Sequence, residues 1–448
     1  MRAVTTPLPT GFRVTLDAAT KRLADGSLFG GSPGRIVRLT PAGQTAFAEL
    51  TAGPVLSRNA AVLARRLTDA GIAHPCPPDA VTRPDVTVVV PVRDRAEPLA
   101  RCLAGLGGRH PVVVVDDASR DPGSVAEVVA RFGATLVRRD VNGGAGPARN
   151  TGLARVTTEL VAFVDSDCLP DGDWIDRLAT HFADPLVAAV APRVLDSALD
   201  LGDRPARMSP HARVSYVPTA ALLVRRSALP DGGFDEGIGR GEDVDLVWRM
   251  HEAGHRVRYD PSVVVRHAEP GTRSALFARR FRYGRSAAPL AVRHPTAIRP
   301  LVLHLWPALT VLAALARRPL AAAVCFGCSM VALRTALRRA GVPADGVPKA
   351  MAAATGQTWL ALGRYATQYA GPVLAIAALV PGRHRLPVLS LLLGPPMVAW
   401  CVDQSDRGVV DRLVDDVAYG AGVWSGCVTG RTLRPLRPTF SRKALRVD

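Results

Sequence analysis

The rhythm of apolar and polar positions changes twice along the chain. Up to about Pro78 the apolar residues come in short groups. FRVTL and RIVRL alternate as strands do, and TPAGQTAFAEL offers Thr40 as an N-cap with Pro41 at the first helical position. RNAAVLARRLTDAG carries a helical apolar face that stops at Gly71, where a left-handed cap would sit. Strands with two or three short helices in so few residues predict a small winged-helix-like unit over residues 1–80, able to bind DNA, a peptide or a partner protein. The proline-rich PCPPDAVTRPD marks its end.

From residue 81 to Arg299 strands and helices alternate. VTVVVP, VVVVDD, ATLVRR and LVAFVD read as strands, with PLARCLAGL, SVAEVVARF and GPARNTGLARV as the helices between them. This predicts an α/β domain on a mostly parallel sheet, whose continuous apolar runs are covered on both faces. Ligands of such sheets bind beyond the carboxyl ends of the strands. Three of the four strands end there in acids or a proline-led loop: Pro91 to Asp94, Asp116 with Asp117, and Asp165 with Asp167.

Residues 300–448 are apolar in a different way. LVLHLWPALTVLAALA, PLAAAVCFGCSMVAL, GPVLAIAALVP and LPVLSLLLGPPMVAWCV are each shorter than the roughly 20 apolar residues of a spanning helix. Arg317 and Arg318 divide the first two, and Gly394, Pro395 and Pro396 interrupt the last. A mainly helical region is expected, made of core helices, interfacial segments or a short membrane hairpin.

Charge changes the picture in one place. The net charge of +17 over 448 residues would point to nucleic acid or an anionic surface. Only Lys21, Lys349 and Lys443 are lysines, so the excess is an arginine bias of the kind a GC-rich genome produces. From Gly271 to Ala344 there is no acid, while Arg273, Arg279, Arg280, Arg282, Arg285, Arg293 and Arg299 crowd the first part. Such a stripe before an apolar region predicts contact with the anionic inner face of the cell membrane. Seven scattered cysteines and the start MRAVTTPLPT, without an apolar signal, predict a reducing, cytoplasmic setting. Cys325 and Cys328 have no second ligand pair and read as small residues of a packed helix.

Two places carry candidate chemistry. In VAFVDSDCLP the carboxylates of Asp165 and Asp167 would repel unless a divalent cation joins them; the plainer alternative is an acidic turn. In GRGEDVDLVWRMHEAG, Glu242 and Asp243 open a helix whose apolar face ends at Gly254. Acids in a first turn complement the helix dipole, but facing a metal-bound leaving group one of them can deprotonate a hydroxyl.

VTVVVPVRDRAEPLARCL, VVVVDDASRD, NGGAGPARNTGL, FVDSD and FDEGIGRGEDVDLVWRM occur in the order and spacing of the family 2 glycosyltransferases, which the chain resembles over about half its length. The resemblance implies the GT-A nucleotide-diphospho-sugar transferase fold. It implies that Pro91, Val92, Arg93 and Asp94 line the nucleoside pocket, that Asp117 accepts from a uracil ring nitrogen, and that Gly144 and Arg149 lie beside the nucleotide. Asp165 and Asp167 are similar to the DxD motif, with Asp167 favoured as the direct ligand of Mg or Mn. Asp243 resembles the catalytic base and Glu242 a residue that orients it or the acceptor. His267 falls where some relatives place a further metal or phosphate contact, with a surface histidine as the alternative. Transfer with inversion follows from these roles. The Q-x-x-R-W motif of processive synthases is absent, so one or a few sugars are expected. Trp174 either stacks on a sugar or packs.

With its first unit and VAYGAGVWSGCVTGRTLRPLRP near the end, the whole chain is similar to the glycosyltransferases of mycofactocin biosynthesis in actinobacteria. That resemblance implies a UDP-sugar donor, UDP-glucose, and a peptide-derived redox cofactor as acceptor. A lipid or cell-envelope acceptor is the competing enzyme reading. A DNA-binding reading of the first unit needs a basic recognition helix, for which only Arg58, Arg65 and Arg66 are available. No nucleic-acid partner is expected.

Overall fold

A computed structural model describes residues 6–78, 84–267, 273–339, 341, 344, 346–403, 408–441, 446 and 447. The middle of the proline-rich boundary, 79–83, and the start of the basic stripe, 271 and 272, lie outside the described residues. The chain packs as two compact units, Met1–Arg22 with Leu28–Glu269, and Leu23–Ser27 with Pro270–Asp448.

The first unit opens with β1 (Arg13–Leu16), β2 (Lys21–Arg22), β3 (Leu28–Gly30), β4 (Arg35–Val37), α1 (Pro41–Ala52), α2 (Arg58–Ala70) and β5 (Ala73–Cys76). Thr40 and Gly71 are caps that the sequence predicts, and Ser57 is a further one. Thr40 Oγ1 accepts from Gly43 N at 3.2 Å, Ser57 Oγ from Ala60 N at 3.1 Å, and Gly71 ends α2 at φ +68°. β1 pairs antiparallel with β5, and β3 pairs antiparallel with both β2 and β4, around a core of Phe12, Leu28, Phe47, Leu50, Leu67 and Ile72. Helix α2 faces inward. Arg65 is fully buried and both its terminal nitrogens donate to Asp184 at 2.8 Å, so it is an internal tie and not a phosphate-reading side chain. That removes one of the three arginines on which the DNA-binding reading rested.

The sheet that follows is built from β6 (Val86–Val92), α3 (Ala96–Leu106), β7 (Val112–Asp117), α4 (Pro122–Arg131), β8 (Thr135–Arg139), α5 (Ala145–Leu153) and β9 (Leu160–Val164). It continues with β10 (Cys168–Pro170), α6 (Trp174–Ala179), β11 (Val187–Leu195), β12 (Ala206–Arg207), β13 (Ala221–Arg225), α7 (Glu242–Glu252) and β14 (Arg256–His267). The strand order is β10-β14-β11-β13-β9-β6-β7-β8, with β12 on the edge of β14. β8, β7, β6 and β9 run parallel, as expected from their helix crossovers, whereas β13 is antiparallel to both β9 and β11. The apolar strands are covered on both faces: Val88, Val90, Val114, Ala162 and Val164 meet Leu99, Leu103, Trp174 and Ile175 on one, and Val89, Val115 and Phe163 are fully buried on the other. Trp174 is 1% exposed, so it packs and has no face for a sugar.

The second unit holds α8 (Arg273–Arg293), β15 (Val302–His304), α9 (Leu305–Leu315), α10 (Pro319–Arg339), α11 (Val347–Leu379), α12 (Arg385–Asp403), α13 (Val409–Thr429) and β16 (Thr439–Ser441). Helices α8 and α13 touch backbone to backbone: a Cβ on Gly422 would lie 2.0 Å from Phe281 O, and one on Gly284 the same distance from Tyr419 O. Part of the basic stripe is turned into this contact, with Arg280 3.9 Å from Asp415 and over the Tyr419 ring. The expected interruption at Gly394, Pro395 and Pro396 does not occur, because α12 runs through all three. Neighbours hold it: Trp359 lies where a side chain at Gly394 would be, and Pro395 fits against Gly363. Both α10 (21 residues) and α12 (19 residues) are longer than their apolar segments suggest and are long and apolar enough to cross a membrane.

Candidate active site

The acids end their strands together. Asp117 closes β7, Asp165 follows β9, and the loop Pro91 to Asp94 leaves β6, the strand between them. Val92 is 3% exposed and belongs to the core, so what it offers a ligand is main chain.

Asp117 organises the loop between β8 and α5. Its carboxylate accepts from Arg139 Nη1 at 2.9 Å, Gly143 N at 3.1 Å and Gly144 N at 2.7 Å. The Asn142 amide adds a donor at 2.7 Å while its oxygen accepts from Arg93 Nη1 at 3.0 Å. Gly144 stands at φ +89° as the N-cap of α5, a conformation that a side chain would strain. Asp94 Oδ1 accepts from Arg120 N at 2.6 Å, and Asp94 N donates to Ser119 Oγ at 2.9 Å. These bonds join the loops after β6, β7 and β8 into one wall. Arg139 and Asn142, which sequence reasoning did not single out, hold that wall together.

A turn closed by Cys168 N donating to Asp165 O at 3.0 Å sends Asp165 and Asp167 to different partners. Asp165 Oδ1 accepts from Arg149 Nη2 at 2.6 Å, and Arg149 Nη1 donates to Glu242 Oε1 at 3.0 Å. Arg149 is 3% exposed, with its guanidinium over the Phe234 ring at 5.4 Å. Phe234 is fixed in turn by Asn150, which donates to Phe234 O and accepts from Phe234 N, both at 2.8 Å. Asp243 stands next to Glu242 on the first turn of α7, its Oδ1 accepting from Val244 N at 2.8 Å. Burial pushes the Asp243 carboxyl up to about 7, and the charges of Glu242 and Asp165 push the same way against the pull of Arg149. A carboxyl titrating near neutrality is suited to take a proton from a hydroxyl.

Asp167 lies across from this group. It is paired with Arg95, and His267 Nε2 at the end of β14 is 3.4 Å from its Oδ1. Ligand atoms of Asp167, Cys168 and His267 all lie within 4.8 Å of one another. Cys168 is not a good donor: its Sγ donates to Ala220 O at 3.2 Å, and burial, then the nearby Asp165 charge, keeps it a thiol. Carboxylate oxygens suit Mg or Mn, the imidazole favours Mn of the two, and His267 Nδ1 is buried without a hydrogen-bond partner. The residues therefore fit a divalent cation. The half-exposed guanidinium of Arg95, which the sequence reading passed over, supplies the positive charge beside Asp167 in this structure.

Residues 87–226 match the family described as glycosyl transferase family 2, and residues 160–363 match glycosyl transferase family group 2. The chain is 40% identical to the pre-mycofactocin glycosyltransferase of Mycobacterium tuberculosis over 97% of its own length and 98% of that protein's. It belongs to the family 2 glycosyltransferases. Glycosyltransferase AglE of Haloferax volcanii is 27% identical over 46% of this chain and 73% of its own. Among solved structures, a mannosyltransferase from Pyrobaculum calidifontis in complex with GDP-Man and Mn2+ aligns with a TM-score of 0.48 at 21% identity, covering 78% of this chain and 89% of that one.

Proposed function

We propose that the protein is an inverting hexosyltransferase that moves glucose from UDP-glucose to a hydroxyl of the peptide-derived redox cofactor mycofactocin or its precursor, adding one or a few sugars. The observation that carries this reading is the Asp243 carboxyl, held near neutrality beside Glu242, Arg149 and Asp165. The acceptor rests on the similarity to the M. tuberculosis protein along nearly the whole chain. In this reading Asp243 takes the acceptor's proton as the oxygen attacks the anomeric carbon from the face opposite the leaving diphosphate. Arg149 keeps Glu242 and Asp165 in place and lends its positive charge beside the nucleotide. The uracil is received at the wall that Arg93, Asp94, Asp117 and Gly144 build, with Pro91 and the main chain of Val92 at its base. Asp167, with Asp165 and His267, would hold a Mg or Mn ion, whose charge would offset that of the departing diphosphate.

The test uses purified protein with UDP-glucose, Mn and the deglycosylated mycofactocin precursor, following UDP release and acceptor mass beside Asp167→Asn and Asp243→Asn. A hexose increment that both substitutions abolish is the expected result. Absence of UDP release with any sugar nucleotide and metal would sink the reading.

A second reading keeps the chemistry and moves the acceptor to a lipid surface at the cytoplasmic face of the membrane. It is favoured by α10 and α12, where Leu320 is 83%, Val324 65%, Trp400 51% and Val402 72% exposed. UDP release with no shift in the mass of the peptide-derived acceptor would select it.

A further inference from the structure

Within the first unit, on the side where α2 ends and β12 pairs with β14, there is a cavity of about 260 Å³. One wall is the turn after β3 and the end of α2, and the other is the segment 204–214. Arg213 N donates to Ser32 Oγ at 2.6 Å and so ties the two walls. Four arginines line the cavity, Arg35, Arg204, Arg207 and Arg213, against two acids, Asp17 and Asp69.

Both acids are already engaged. Asp69 receives Arg256 on both carboxylate oxygens, at 3.1 and 2.7 Å, which leaves Arg207 Nη1 3.6 Å from Oδ1 and donating instead to Asp69 O at 2.9 Å. Asp17 accepts from Ala19 N at 2.9 Å and pairs with His74 at 2.9 Å as well as with Arg204. The positive side is less well matched. Arg207 and Arg258 are direct partners in the antiparallel β12–β14 pair, so two like charges face each other on one side of the sheet. Arg258 is 2% exposed and none of its three nitrogens has a hydrogen-bond partner; the Nε atoms of Arg204 and Arg207 are buried in the same condition. Burial lowers Arg258 to about 10 and lowers Arg207 as well, with neighbouring guanidinium groups adding to both shifts.

We infer that this cavity binds a small oxyanion, a carboxylate or phosphate group, on Arg204 and Arg207, with Arg258 next to Arg207 as its cross-strand partner. The guanidinium fork matches either oxyanion with paired N–H donors. The volume lies below the ~300–1,000 Å³ of pockets for larger ligands, which suits a single anionic group. None of the residues belongs to the catalytic cleft, and the site stands whether or not the donor and acceptor assignments do.

The experiment is thermal unfolding and calorimetric titration of the full chain with sodium phosphate and, separately, sodium succinate, at constant ionic strength set by chloride and without sugar nucleotide. Saturable stabilisation is expected, and the tighter of the two ligands identifies the oxyanion. Arg207→Gln is expected to weaken binding by about tenfold, the loss of one charge-assisted contact, while raising the melting temperature measured in chloride alone. Should Arg207→Gln fail to fold, Arg204→Gln, on a side chain 41% exposed, carries the same expectation for affinity. A shift equal to that given by chloride, or wild-type affinity in a folded variant, would overturn the inference.

Discussion

Two buried charge clusters of the first unit are unbalanced in opposite directions. At the mouth of the sheet three carboxylates, Asp165, Glu242 and Asp243, gather around the one guanidinium of Arg149. Beside α2 the arginines outnumber Asp17 and Asp69. Burial, together with like charges nearby, pushes Asp243 up and Arg207 and Arg258 down. The consequences differ. A carboxyl raised to about 7 changes state at working pH and can accept a proton. An arginine lowered only to about 10 keeps its charge there, so its cluster is relieved by an anion and not by titration.

The sharpest way to break the comparison is Asp243→Asn. It is expected to lower kcat by about 10³-fold or more with little change in KM, the loss of general-base action. Because the folded carboxyl titrates above its unfolded value, its stability contribution is complete below about pH 4 and is lost as pH rises through about 7. The same substitution should therefore raise the melting temperature, more at pH 8 than at pH 5. A variant with wild-type kcat would put the base elsewhere.

Arg149→Met comes next, since it leaves three acids without their counter-charge. A destabilisation of about 3–5 kcal/mol is expected, read as a lower urea midpoint. An unchanged midpoint would mean that the cluster is solvated and the comparison wrong. Asp167→Asn acts on the neighbouring pair with His267 and should weaken Mn by at least about tenfold in an activity titration, with the fold intact by circular dichroism. Equal Mn dependence in the variant would remove Asp167 from the metal site. The pH profile of wild type reads the same carboxyl without a substitution. Between pH 5 and 7 kcat should climb by about tenfold per unit and then level, as deprotonated Asp243 accumulates. A flat profile would leave the carboxyl without its assigned work.

Much of the cleft was legible because it is written locally. A valine-rich run followed by Asp116 and Asp117 is a buried strand with its acids at the carboxyl end, and Gly241 before Glu242 and Asp243 is a helix start. Periodicity and caps fix such things within a few residues. Arg95, Arg139, Asn142 and Phe234 were passed over because their roles depend on partners across the sheet. Their only signal was position within or beside the quoted motifs. Trp174 gave no local sign of which alternative held, since a tryptophan next to acids reads the same whether it packs or stacks.

The sequence alone therefore determined the strands β6 to β9 with the helices between them, the N-cap of α1, the stop of α2 at Gly71 and the presence of acids where a parallel sheet presents its ligands. These depend on backbone periodicity and on single residues at chain turns. Only the tertiary structure decided that Asp165 and Asp167, two positions apart, serve different partners, that Arg65 is an internal tie, and that α12 continues through two prolines. It also set Arg207 opposite Arg258. Each of these is settled by contacts between segments far apart in the chain, where packing and electrostatics outweigh local preference.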